Sequence, residues 1–217
     1  MNQIFSPAAD TWLRLFLIGA MAMTAGGVAG AIGFTRSDYV TGVHFHPASQ
    51  PVPFSHQHHV SGLGLDCRYC HAGVEAGPQA GLPPTHTCMT CHSQIWTQAA
   101  MLAPVRRSLA DDRPLAWRRV ARLPDYVYFR HDIHIAKGVG CVTCHGRVDL
   151  MPLTFRAVPL TMEFCLDCHR DPAPHLRPRE RVTDMSWKQP DPRAGQRLVQ
   201  DYGIRVGELA DCYVCHR

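Results

Sequence analysis

Hydrophobic positions are spread unevenly along this chain. From Leu15 to Phe34 the run LFLIGAMAMTAGGVAGAIGF holds twenty residues without a charge, bounded by Arg14 and Arg36. A run of that length crosses a bilayer core as a helix. Beyond it, long helical or alternating patterns are scarce, and Gly and Pro, 17 of each in 217 residues, break the chain at short intervals. Residues 37–53 read as a polar connection, and AGVEAGPQAGLPPT between residues 72 and 85 reads as a loop. The stretch QIWTQAAMLAPVRRSLADD predicts a short amphipathic helix interrupted at Pro104. The pattern therefore predicts one long apolar helix followed by loops and short helices.

What organises those loops is a repeated motif. C-x-x-C-H occurs five times, at Cys67/Cys70/His71, Cys88/Cys91/His92, Cys141/Cys144/His145, Cys165/Cys168/His169 and Cys212/Cys215/His216, and uses all ten cysteines. Two thiols at this spacing can bond to the vinyl groups of a haem while the adjacent imidazole takes the iron. Zinc ribbons explain paired C-x-x-C runs but not a histidine after every second cysteine. A disulfide framework requires neither feature. Upstream of the first and third sites lies a second repeat, Phe54-x-His56-x-x-His59 and Phe129-x-His131-x-x-His134. The chain thus reads as repeated haem-binding modules.

The ligands can be counted against the irons. Five proximal ligands are His71, His92, His145, His169 and His216. His56, His59, His131 and His134 supply four distal ones, since an i, i+3 pair sits on neighbouring faces of a helical turn and can reach two haems. The fifth haem needs another ligand, with Met162 ahead of Met151, and His175 and Met185 behind. A thioether would raise that haem's potential above its neighbours', although each of these methionines taken alone reads as core packing rather than ligand. His44, His46, His58 and His86 read as packing or surface residues.

Charge adds little to this. The formal net charge is +4, but each haem brings two propionates, which the arginines at 106, 107, 113, 118, 119 and 122 can pair. The alternative for those arginines is a solvated basic face. Basic residues are scattered and the aromatics lack a stacking pattern, so nothing points to nucleic acid. For the apolar N-terminal run, an uncleaved membrane anchor competes with a signal peptide carrying the small-x-small sequence Ala29-Gly30-Ala31. The anchor is the favoured reading. Ala22, Gly26 and Gly30 would form a stripe admitting another membrane helix, or merely reflect the composition of such helices. Covalent haem attachment happens outside the bacterial cytoplasm, which puts the body of the chain on the periplasmic or extracellular side of the membrane. The expected organisation is an anchor over residues 1–36, with its span at about 15–34, a first dihaem module and linker over 37–123, and a second module with three haems over 124–217. The last of those haems, close to the end of the sequence, is expected at an edge of the row.

Taken together, the single N-terminal membrane helix, five C-x-x-C-H sites, two F-x-H-x-x-H segments and the run PLTMEFCLDCHRDP resemble the pentahaem cytochrome c subunit of bacterial alternative complex III. The resemblance spans nearly the whole chain. It implies a multihaem cytochrome c fold of loops and short helices around five c-type haems, with the five motif histidines proximal and the four F-x-H-x-x-H histidines distal. It also implies partners: polytopic quinol-binding membrane subunits, an iron–sulfur subunit, membrane lipid, and a monohaem cytochrome c, soluble carrier or terminal oxidase as acceptor. In that family the quinone site lies on partner subunits, and this chain carries electrons without catalysing bond changes. Two other classes compete. A stand-alone membrane-anchored quinol dehydrogenase of the tetrahaem type lacks the fifth site and the paired distal histidines. A multihaem oxyanion reductase needs an open iron position, whereas here candidate ligands outnumber irons.

Overall fold

The computed structural model describes residues 6–44 and 50–216, so His46 lies outside the described residues. The chain divides into two compact units, Met1–Gly42 and Val43–Arg217. The first is dominated by α1 (Pro7–Thr35), with α2 (Asp38–Thr41) after it. Ser6 caps α1 by accepting from the Ala9 N–H, and Pro7 opens it where no N–H is required. At 29 residues the helix is about 43 Å long, more than the roughly 30 Å of a bilayer core. Its apolar residues point outward in every direction, Phe16 at 70 % and Met23 at 77 % exposure. The helix is therefore long and apolar enough to cross a membrane.

The second unit consists of short helices. In order they are a π-turn at Gln57–Gly62, α3 (Cys67–Cys70), α4 (Thr85–His92), α5 (Ala103–Ala110), α6 (His131–Ala136), α7 (Cys141–His145), α8 (Met162–Arg170), α9 (Pro192–Asp201) and α10 (Cys212–Cys215), joined by turns and 3-10 segments. Pro104 lies at the start of α5 rather than interrupting a helix. The reason is that proline is favoured in a first turn, where its missing N–H costs nothing. Among the described residues the only β-pairing is an isolated bridge between Val139 and Leu176.

Protein side chains alone build a sparse core. The buried apolar residues are Val43, Val52, Leu102, Val105, Met151, Ala173, Leu176, Val182, Met185 and Ala194. Val52, Leu102 and Val105 cluster against Cys88, Met89 and Trp117, and so brace α4. Leu176 and Val182, each 1 % exposed, are the best-buried side chains and flank the segment that packs on α7. There the Cys141 N–H donates to the Val182 carbonyl at 3.0 Å. Backbone and side-chain bonds also tie the two halves of this unit together. The Gln57 N–H donates to the Met151 carbonyl (3.1 Å), the Ser61 hydroxyl to the Asp149 carbonyl (2.7 Å) and the Asp132 N–H to the Gly77 carbonyl (3.2 Å).

Candidate haem centres

Each C-x-x-C-H motif lies on one of five short helices, α3, α4, α7, α8 and α10. One helical turn brings the two cysteines to the same face and sets the histidine beside them. The turns are fixed locally. Asp66 caps α3 by accepting from the Arg68 N–H, and Thr161 caps α8 by accepting from the Phe164 N–H.

Opposite four of these motif histidines stands a second imidazole. His56 faces His71 with ring centroids 6.5 Å apart and planes inclined by 9°. His131 faces His145 at 6.4 Å and 8°. His134 faces His169 at 6.2 Å and 27°, and His59 faces His92 at 6.3 Å and 64°. A metal–imidazole bond of about 2 Å on each side, plus about 1.1 Å from nitrogen to ring centre, sums to roughly 6.3 Å. The four spacings fit two imidazoles on opposite sides of one iron. Within each F-x-H-x-x-H turn the phenylalanine fixes both rings. Phe54 lies 4.9 Å from His56 and 4.4 Å from His59, and Phe129 lies 4.8 Å from His131 and 4.6 Å from His134.

The Nδ1 atoms of these rings are held by protein oxygens. His59 and His134 are bonded through Nδ1 to the carbonyls four residues earlier, Ser55 at 2.8 Å and Arg130 at 2.6 Å. His56 Nδ1 is bonded to the Thr154 hydroxyl at 2.9 Å and His131 Nδ1 to the Pro78 carbonyl at 2.8 Å. Among the motif histidines His71 meets the Gly81 carbonyl, His92 that of Ile95, His169 that of Leu209 and His216 that of Tyr126, at 2.8, 3.3, 2.8 and 3.1 Å. A carbonyl on Nδ1 places the proton there and leaves Nε2 with a lone pair for metal. Burial, and then the neighbouring His71, His59 and His145, lower the His56 pKa to about 4. Burial followed by His131 and His71 lowers His145 to about 4 as well, and burial lowers His134. These imidazoles are neutral at neutral pH, the form that binds metal.

Burial also acts on the thiols, raising Cys144 to about 11 and pushing up Cys70, Cys88, Cys165, Cys168 and Cys215. All ten cysteines are unpaired, which leaves each available for a thioether. A buried indole N–H, that of Trp117, lacks a protein acceptor, and both Trp117 and Cys88 pack against the Val52–Leu102–Val105 cluster. Such a donor suits a haem propionate. The residues present therefore fit c-type haem.

The fifth motif differs. The His216 ring lies 5.9 Å from that of Tyr126, whose carbonyl holds its Nδ1. Of the residues expected as its distal ligand, Met162 heads α8 at 66 % exposure, Met151 and Met185 are buried, and His175 occupies a 3-10 turn. His44 packs on Phe155, and His58 Nδ1 lies 3.5 Å from the Ser55 hydroxyl, so neither joins the facing pairs. Sequence reasoning missed Thr154, 98 residues from the histidine it orients. It also missed Arg177, a 5 % exposed residue packed against Gly140, where an added Cβ would collide with its guanidinium.

Five haem-attachment motifs and four facing imidazole pairs define a multihaem cytochrome c. Residues 127–217 match the family of cytochrome c7 and related cytochrome c. The chain is also 33 % identical over 182 residues to the menaquinone reductase multihaem cytochrome c subunit of Nitratidesulfovibrio vulgaris, with 77 % of each chain covered. It belongs to that family of multihaem cytochrome c subunits.

Proposed function

We propose that this chain is a membrane-anchored pentahaem cytochrome c that carries electrons between a quinone-linked membrane complex and a periplasmic partner. The four facing imidazole pairs carry the reading, because irons held between two strong ligands accept and release electrons without binding substrate. When bound, the haems supply five one-electron centres. His56 with His71, His59 with His92, His131 with His145 and His134 with His169 would each hold one of four irons, and His216 with Met162 would hold the fifth. Residues 37–123 and 124–217 contribute two and three haems respectively. The chain itself holds the irons, orients their imidazoles through Nδ1 and excludes other ligands. Helix α1 anchors it in the bacterial cytoplasmic membrane with the haem unit outside.

The complex is of the alternative complex III kind, in which polytopic subunits oxidise quinol, an iron–sulfur subunit shares the periplasmic face, and a monohaem cytochrome or other carrier accepts the electrons. A second reading runs the current the other way. It is favoured by the likeness to a subunit named for menaquinone reduction. Isolation from native membranes in mild detergent, with co-migrating proteins identified by mass spectrometry, tests both. Polytopic and iron–sulfur subunits that co-migrate, with quinol reducing the haems, support the first. Menaquinone reduced by the prereduced complex, with quinol inert, supports the second. A chain that migrates alone and is still reduced by quinol contradicts both and makes it a stand-alone quinol dehydrogenase.

A further inference from the structure

The order of the five motifs along the chain is not the order in which the fold sets them side by side. The first two are linked through one turn, since His56 and His59, three residues apart, face His71 and His92. The third and fourth are linked in the same way, by His131 and His134 facing His145 and His169. What joins these two couples is the segment at 182–183. The Val182 carbonyl accepts from the N–H of Cys141, first cysteine of the third motif, at 3.0 Å. The next residue's hydroxyl, on Thr183, donates at 2.9 Å to Asp66, the cap of the helix that starts at Cys67. The first and third motifs thus sit on either side of one short strut. The fifth meets the fourth: His169 Nδ1 bonds to the Leu209 carbonyl at 2.8 Å, three residues before Cys212, and the turn Val206–Glu208 packs on α8.

We propose that the five attachment sites are ordered in space as second, first, third, fourth, fifth, so that the second and fifth are the two ends of the row and the first and third its centre. This rests on the reading of five haem centres given above. Solvent access agrees independently. Of the ten cysteines only Cys91, in the second motif, and Cys212, in the fifth, are exposed. An end site has one neighbour instead of two, and its outer edge is open to a partner. The electrostatic neighbours of the thiols trace the same row, Cys88 beside Cys70, Cys67 beside Cys141, Cys168 beside Cys144 and Cys215 beside Cys165. The consequence for partner docking is definite. Proteins that exchange electrons with this chain approach α4 and α10, not the centre of the unit.

The test is proton NMR of the haem-loaded full chain in detergent, fully reduced so that low-spin irons are diamagnetic, with haem-methyl cross-relaxation reporting which haems are neighbours. His59→Met and His56→Met, which raise the potentials of the second and first haems, assign their resonances through the order of oxidation. Cross-peaks between first and third haems, with none between second and third, are expected. A second-to-third cross-peak without one between first and third would overturn the proposal. Should either variant fail to load, exchange spectroscopy of the partly oxidised native chain assigns the methyls and reads the same adjacency. Haem count by intact mass is measured on the same sample. Fewer than five covalent haems would sink the underlying functional reading, whereas five haems in the wrong contacts would sink only the order.

Discussion

The two copies of the F-x-H-x-x-H turn reach nearly the same geometry from different backbones. In the first copy the turn is a π-turn, Gln57–Gly62, with His56 just ahead of it. In the second it is the α-helix α6, with both histidines inside. Yet the phenylalanine meets the first histidine edge-on at 88° in both, and the inner facing pairs close at 6.5 and 6.4 Å with planes 9° and 8° apart. The outer pairs diverge, 64° for His59 with His92 and 27° for His134 with His169. What the fold repeats is the position of two ring nitrogens, not a backbone conformation. Both copies share the aromatic wedge and the i−4 carbonyl on the second histidine, while the first histidine is held from elsewhere, by the Thr154 hydroxyl in one copy and the Pro78 carbonyl in the other.

The residue before each first cysteine differs as well. In the first copy it is Asp66, which caps α3, pairs with Arg68 at 2.8 Å and accepts from Thr183. In the second it is Gly140, whose missing side chain admits the Arg177 guanidinium. Arg177 donates to the Asp184 carbonyl at 2.8 Å and lies 5.0 Å over the Trp187 ring, so a cation is buried beside the third site with few partners. Desolvation lowers its pKa.

The largest effects in both copies are expected at the cysteines. Cys141→Ala is expected to remove covalent retention of one haem, a fall of roughly one fifth in bound haem by denaturing mass analysis; Cys67→Ala should do the same for the first copy. Next come the distal ligands. His56→Ala and His131→Ala should each leave all five haems attached and turn one ferric iron high-spin or water-ligated, seen by electron paramagnetic resonance. An effect in one copy and not the other would break the equivalence.

Smaller effects sharpen the difference between the copies. Gly140→Ala should destabilise by about 1–3 kcal/mol in denaturant unfolding, because the new methyl collides with a buried guanidinium. Asp66→Ala should cost about 1 kcal/mol through the lost cap. Hydrogen bonds from Arg68, first, and then Thr183 hold the Asp66 carboxyl at about 2, below its ordinary 3.8. Its stabilising contribution is complete above the ordinary value and disappears as pH falls through about 2. The wild type should therefore lose a small increment between about pH 4 and 2 that Asp66→Asn lacks, measured by acid titration of thermal stability.

Much of the site was legible because its chemistry is local in sequence. The five C-x-x-C-H motifs and both F-x-H-x-x-H turns could be read from spacing, and all four histidines of those turns face motif histidines in the fold. Helix α1 was legible for the same reason, since twenty uncharged residues leave few alternatives. Pairing was not legible, because an i, i+3 turn fixes that two rings diverge but not which irons they meet. Nor were Thr154, Arg177 and the strut at Val182 and Thr183, whose contacts span up to 117 residues. The expected break at Pro104 failed for a local reason, since a proline can begin a helix as readily as it ends one.

The most direct test of two ligand-bearing turns serving four irons is low-temperature electron paramagnetic resonance of the fully oxidised, haem-loaded chain, with the signals integrated against total haem. Near-parallel imidazoles give rhombic low-spin spectra and strongly crossed ones a highly anisotropic signal. Three rhombic bis-histidine haems and one highly anisotropic bis-histidine haem, the one at His92, are predicted beside the His216 haem. High-spin iron at two or more haems would contradict it.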